Sequence, residues 1–239
     1  ILLQKMTVSP LEEAENYINP EKEVSTAEDA LNGAKDILAE SVSDNADFRT
    51  HIRELTMKHG QLLSAAKDPE AESVYEMYYE FSESLSKLAG HRILAISRGE
   101  KEKFLTVKID APVDRILSYL DRKLITAPSA PTAAVLHEVT EDAYNRLIAP
   151  AIEREIRSDL FEKAEDGAIR VFGKNLEQLL MQPPIAGQVV LGWDPAFRTG
   201  CKLAVVDPTG KVLDTTVIYP TAPQNRVEEA KAVLKKLIS

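Results

Sequence analysis

The chain has one cysteine, one tryptophan and no apolar run near the ~18 residues that cross a membrane. A single cysteine, Cys201, excludes an internal disulfide and fits a reducing cytoplasm. Gly-rich phosphate loops are missing. Neither a Walker A string nor a dinucleotide fingerprint occurs, so neither nucleotide-binding class is expected. His51, His59, His91 and His137 contain no i, i+4 pair, and with one cysteine they do not make a zinc site. No signal peptide is visible. The chain opens Ile1-Leu2-Leu3 without an initiator methionine and reads as an excised piece, so any targeting segment is expected to lie outside it. Internal repeats and low-complexity tracts are absent.

What is present is ordinary for a globular protein: 44% apolar and 28% charged residues over 239 positions, enough for one large domain or two small ones. The net charge of −9 is unevenly spread. From Gly187 onward seven Lys/Arg face five Asp/Glu, a balance of +2, so the part before Gly187 carries −11. An acidic body argues against bulk, nonspecific binding of nucleic acid, because phosphate contact needs clustered cations.

Helix signals dominate the first three quarters. Pro10 stands in the first turn of a short helix over 11–17. Ser25-Thr26-Ala27-Glu28 reads as a capping box before a helix over 27–41. Ser43-Asp44-Asn45 caps a helix over 46–58, with Gly60 at its C′ position. Residues 61–66 read as a short strand or a loop. Pro69 opens a predicted helix through Ala89, with Val74, Met77, Tyr78, Phe81, Leu85 and Leu88 as its core stripe. Leu105, Val107 and Ile109 alternate with polar residues, which predicts a half-exposed strand, and a helix over 112–121 follows. Residues 133–182 are read as helical, with Ile148, Ile152, Ile156, Leu160 and Ala164 in 3.6-residue phase, until Pro183-Pro184 stops them.

The pattern then changes. Val189-Val190-Leu191 reads as a strand buried on both faces, ending in Gly192-Trp193-Asp194-Pro195. Asp194 therefore sits at a strand end, fixed by a proline that halts the ladder. Residues 202–206 form a second predicted strand and 211–219 a third, joined by the turn Asp207-Pro208-Thr209-Gly210 with Gly210 at φ > 0. Residues 226–238 have helical periodicity.

Strand with aspartate, loop, hairpin, helix resembles the opening of the RNase H-like fold, in the YqgF branch. The string from Asp194-Pro195-Ala196-Phe197-Arg198-Thr199-Gly200-Cys201-Lys202 to Asp207 resembles the Tex family of bacterial transcription accessory proteins, where glycine usually stands in place of Ala196. His91-Arg92, with Arg98-Gly99-Glu100, resembles a second Tex stretch in which Gly90 and Ser97 replace the usual Ser and Asn. Pro150 to Arg157 and Asn175 to Pro184 resemble two more, in the expected order. The resemblance implies a mainly α-helical domain over 1–186 and a truncated α/β RNase H-like (YqgF) domain over 187–239. It also implies that the rest of that domain, helix-hairpin-helix motifs and an OB-fold barrel follow outside this sequence.

Asp194 is the candidate for chemistry. RNase H-like nucleases hold Mg²⁺ with a first-strand carboxylate, but one carboxylate cannot hold the two ions that flank a scissile phosphate. Its partners would come from later elements, and the bland alternative is a relic that hydrogen-bonds the 198 loop. Asp207 and Asp214 read as turn or solvent residues. Arg198, Thr199 and Lys202 cluster near Asp194. They suit a phosphate, or Arg198 pairs with Asp194 instead. Cys201 reads as a small buried hydrophobe. His91, Arg92 and Arg98 either touch nucleic acid or pack a helix end. Glu153 and Arg157 form a solvated i, i+4 pair.

The resemblance implies a cytoplasmic, non-membrane factor that meets RNA or DNA through the full-length protein and acts near RNA polymerase, with no cofactor and no enzymatic activity in this part. Two rivals stand beside it: a resolvase-like nuclease using Asp194 and Mg²⁺, and a purely structural module that docks on polymerase.

Overall fold

The computed structural model describes residues 1–183 and 185–239. The chain divides into two compact units, Ile1–Gly173 and Lys174–Ser239. Among the described residues no helix is long and apolar enough to cross a membrane.

The first unit is helical around one small sheet. Its elements are α1 (Pro10–Ala14), α2 (Ala27–Ser43), α3 (Ala46–His59), β1 (Gln61–Ala66), β2 (Glu80–Ser84), α4 (Gly90–Lys101), β3 (Leu105–Asp110), α5 (Val113–Leu124), α6 (Thr132–Asp142) and α7 (Ala149–Leu180), the last of which runs past the unit's end at Gly173. A π-helical stretch, Ala143–Ile148, joins α6 to α7. The strands run antiparallel in the order β2-β1-β3, with Ser64 opposite both Phe81 and Val107.

Short polar side chains set the helix starts. Thr26 caps α2, accepting from the Asp29 amide at 3.1 Å, while the Asp29 carboxylate accepts from the Thr26 amide at 2.9 Å. The box thus begins one residue later than predicted, because Asp29 is the residue three places past the cap. Asn45 caps α3 by accepting from the Asp47 and Phe48 amides. Gly60 ends α3, but not in the left-handed C′ conformation expected of it. Its φ is −77° and the backbone is extended. Glycine suits the position for want of space: a Cβ would lie 2.5 Å from the Thr56 carbonyl oxygen.

The predicted helix over 69–89 does not form. Those residues make a turn at Glu76–Tyr78 and then β2. Tyr78 and Leu85 are buried as expected, but Val74 is 85% and Met77 73% exposed. The physical reason is non-local. A helix here would leave one edge of β1 without partners, and Glu80–Ser84 fills that edge. The Ser64 hydroxyl donates to the Tyr78 carbonyl, and the Leu85 amide donates to the Gly60 carbonyl at 3.1 Å.

The core of this unit gathers Ala39, Ile52, Leu105, Ile116, Leu120, Ala143, Ile148 and Ile156, all fully buried. The first half of α7 faces it through Ile152 and Ile156. Further along, Ile169, Phe172 and Leu179 are exposed. Arg157 binds the Glu100 carboxylate and lies 3.9 Å from Glu153, so the predicted i, i+4 pair is one side of a three-residue cluster. The expected stop at Pro183-Pro184 involves Pro184, which lies outside the described residues.

The second unit holds β4 (Val190–Asp194), β5 (Cys201–Val206), β6 (Val212–Ile218) and α8 (Val227–Ile238), with antiparallel order β4-β5-β6. Its core is small: Cys201, Leu203, Ile218 and Ala230, with Leu191, Val233, Leu234 and Leu237 packed against it. β4 is not buried on both faces, as its apolar run predicted. It is an edge strand, and Val189 before it is 60% exposed. The predicted turn is present, with Gly210 at φ +86°. Asp207 organises it, its Oδ1 accepting from the Thr209 hydroxyl (2.7 Å), the Thr209 amide (2.8 Å) and the Lys211 amide (3.0 Å). The Thr209 hydroxyl first, and then these amides, hold the Asp207 carboxyl below its usual range. The turn is therefore favoured at neutral pH and loosens only as pH falls through that lowered value.

Candidate functional site

Strand register decides what surrounds Asp194. In the β4–β5 ladder Asp194 is opposite Lys202, Trp193 opposite Leu203 and Gly192 opposite Ala204. In the β5–β6 ladder Lys202 is opposite Val217, and Cys201 opposite Ile218. Directly opposed residues share a face. Leu203, Cys201 and Ile218 form the buried face, so Asp194, Lys202 and Val217 lie on the other. There they line a groove of about 640 Å³, together with Gly192, Ala204 and Thr215.

The loop after β4 returns over six residues, 195–200, and closes at Gly200, whose φ is +80°. It brings Thr199 to Lys202, with Nζ 3.5 Å from Oγ1. The Arg198 carbonyl accepts from the Gln224 side-chain amide at 3.0 Å, which ties the loop to the segment before α8. The structure thus joins Asp194, Thr199 and Lys202. Among the described residues Arg198 makes no ion pair with Asp194, so the pairing considered for them is not formed.

These residues do not fit a two-ion metal centre. Among the described residues no group of three His, Cys, Asp or Glu side chains converges. Asp207 is engaged in its turn. Asp214 is opposite Val205, on the face away from Asp194, and accepts from the Thr215 amide. The cross-strand neighbour of Asp194 is an ammonium, which competes with a divalent cation for the same carboxylate.

The His91 region is committed elsewhere. Arg92 pairs with Glu83 at 2.7 Å and lies over the Phe81 ring. Arg98 pairs with Glu102 at 2.8 Å, and Glu102 also accepts from the Tyr75 hydroxyl. The Arg98 bond first, and then that of Tyr75, hold the Glu102 carboxyl below its usual range. Sequence reasoning passed over a different set: Arg115, Tyr119 and Arg122 on α5, whose i, i+4, i+7 spacing was the available signal.

A helical region followed by a three-stranded antiparallel sheet, with an aspartate ending the first strand and a helix after the third, is the architecture of a helical region joined to a truncated YqgF-like domain. Residues 5–172 match the family described as Tex central region-like, and residues 188–239 match the Tex protein YqgF-like domain. The chain belongs to the Tex family. It is 53% identical over 228 residues to the uncharacterized protein YdcI of Bacillus subtilis, covering 94% of this chain and 32% of that one. It is 37% identical to Protein tex of Bordetella pertussis, covering 93% of this chain and 30% of that one. It is 34% identical to the human S1 RNA-binding domain-containing protein 1, covering 85% of this chain and 22% of that one. The chain therefore spans a third or less of the length of these relatives.

Proposed function

We propose that this chain is the scaffold portion of a cytoplasmic, nucleic-acid-associated transcription accessory factor, without a cofactor and without catalysis of its own. The observation that supports this most is the match of both regions, in order, to the Tex family, one relative of which carries an RNA-binding domain in its name. On this reading the full-length protein contacts RNA or DNA mainly outside these residues and works near RNA polymerase. Division of the chain at about residue 186 into a helical domain and a YqgF domain belongs to the same proposal. Arg198, Thr199 and Lys202 offer the groove on the open sheet face a secondary contact to phosphate.

The test compares this chain with the full-length protein on single- and double-stranded RNA and DNA across a salt series. The chain, with its net charge of −9, is expected to bind about a hundredfold more weakly, or worse, at physiological salt. Equal affinity with an equally steep salt slope would overturn the scaffold reading. If neither binds nucleic acid and the full-length protein co-purifies with polymerase, the structural docking module takes its place.

The strand-end position of Asp194 keeps the Mg²⁺-dependent nuclease as a second reading of the full-length protein. This chain is expected to cleave neither branched nor linear substrates with Mg²⁺, since a lone carboxylate beside Lys202 does not anchor the ions. Cleavage that vanishes in Asp194→Asn would reverse that expectation.

A further inference from the structure

The face formed by α3 and α5 takes no part in the groove around Asp194. His51 of α3 stacks on Tyr119 of α5, with ring centroids 4.0 Å apart and planes 31° apart. Phe48 meets the same ring edge-on at 6.0 Å, and the Lys123 ammonium is 5.9 Å from its centre. Beside this stack lies a cleft of about 400 Å³ lined by His51, Leu55, Arg115, Ser118, Tyr119 and Arg122. Arg115 and Arg122 share one face of α5, separated by about two turns, or roughly 10 Å along the axis.

Among the described residues six of the twelve arginines, Arg53, Arg92, Arg98, Arg146, Arg157 and Arg226, pair with a carboxylate. Among the described residues Arg115 and Arg122 do not, although Asp114 lines the same cleft. Two unengaged guanidiniums therefore flank an aromatic pair. A guanidinium fork matches the oxygens of a phosphate, and an aromatic wall accepts the flat face or edge of a base regardless of its identity.

We propose that the α3–α5 cleft binds a short stretch of single-stranded nucleic acid, with Arg115 and Arg122 taking two phosphates and the His51–Tyr119 pair bearing on a base. The cleft volume lies in the usual range of small-ligand sites, about 300–1,000 Å³, and suits one nucleotide. A duplex keeps its bases stacked and cannot offer one to the recess. An acidic peptide would use the arginines but leave the rings idle. Burial first, and the Asp47 charge second, raise the pKa of Tyr119, so its hydroxyl remains a donor at neutral pH. The proposal rests on this geometry alone and stands apart from the roles given to Asp194 and its loop.

The test titrates the 239-residue chain against labelled oligouridylate, oligothymidylate, a DNA duplex and a polyglutamate peptide, in a salt series. Weak binding to both single strands is expected, with a log–log salt slope near −1.4, as about two phosphate contacts give. R115E/R122E is expected to weaken it at least about tenfold, the size of losing charged hydrogen bonds. K163E/R170E makes the same charge change on exposed sites of α7 and is expected to stay within about twofold at physiological salt, where screening is strong beyond ~8 Å. His51→Ala is expected to weaken binding without changing the slope. R115Q/R122Q, with circular dichroism and melting on every variant, separates lost contacts from lost fold. Equal loss in the α5 and α7 variants, no binding by the parent chain, or tighter binding of polyglutamate than of the single strands would each overturn the proposal. None of these outcomes coincides with chain and full-length protein binding equally, which is the failure of the scaffold reading.

Discussion

Ile156→Ala is expected to destabilise the first unit by about 2–5 kcal/mol, while Ile169→Ala in the same helix changes it by less than about 0.5 kcal/mol. Residue type, substitution and helix are identical, so propensity cancels. What differs is burial: Ile156 is 0% exposed within the main core, and Ile169 is 67% exposed. Truncating Ile156 removes transfer free energy and leaves a cavity that the surrounding core fills only partly. Urea unfolding of the two variants, with the slope of the transition checked for constancy, measures the difference. Equal midpoints would mean that α7 does not contribute to the core as described.

Gly200→Ala is expected to unfold the second unit locally while leaving the first unit's transition unchanged. Gly200 sits at φ +80°, where an L-residue pays about 1–2 kcal/mol for the left-handed backbone alone. The added Cβ would also lie 2.6 Å from the Tyr219 ring and 2.7 Å from Val217. Both neighbours would have to move, and Tyr219 is in turn covered by the Arg226 guanidinium at 5.8 Å. A core of four buried residues has little stability in reserve. Hydrogen exchange followed by mass spectrometry would report it: protection across β5 and β6 should fall, and protection in α2 and α6 should not. Wild-type protection in Cys201 to Val206 would show that the loop absorbs the methyl group.

The hairpin was legible because its signals are local. Asp207-Pro208-Thr209-Gly210 carries its own turn chemistry, and the strands on either side are rich in β-branched residues. Thr26 and Asn45 announce their helices for the same reason, through bonds spanning two or three residues. The stretch 69–89 departs from its own pattern because Tyr78, Phe81, Leu85 and Leu88 are spaced as a helix would space them, yet their conformation is imposed by β1, some twenty residues earlier. Nothing within the stretch itself encodes the pairing of Ser64 with Phe81. The site divides along the same line. Asp194 at a strand end was legible from its flanking proline and Lys202 from its nearness in sequence, while their placement directly opposite one another comes only from cross-strand register. The α3–α5 cleft needs two helices to meet, so its aromatic pair, His51 and Tyr119, is separated in sequence by the whole β1–β3 sheet.

The π-helical stretch at Ala143–Ile148 acts as a phase joint. A π turn holds one residue more than an α turn, which amounts to a single inserted residue within an otherwise continuous rod from Thr132 to Leu180. One residue is worth about 100° of rotation. Leu136 and Val139 on one side of the joint, and Ile152 and Ile156 on the other, are all turned inward, although an unbroken α-helix would present the two sets in different directions. Insertions and deletions in this rod are therefore not equivalent to those in a loop: removing one residue between 143 and 148 would keep every helical hydrogen bond possible, and would still rotate the downstream isoleucines out of the interior.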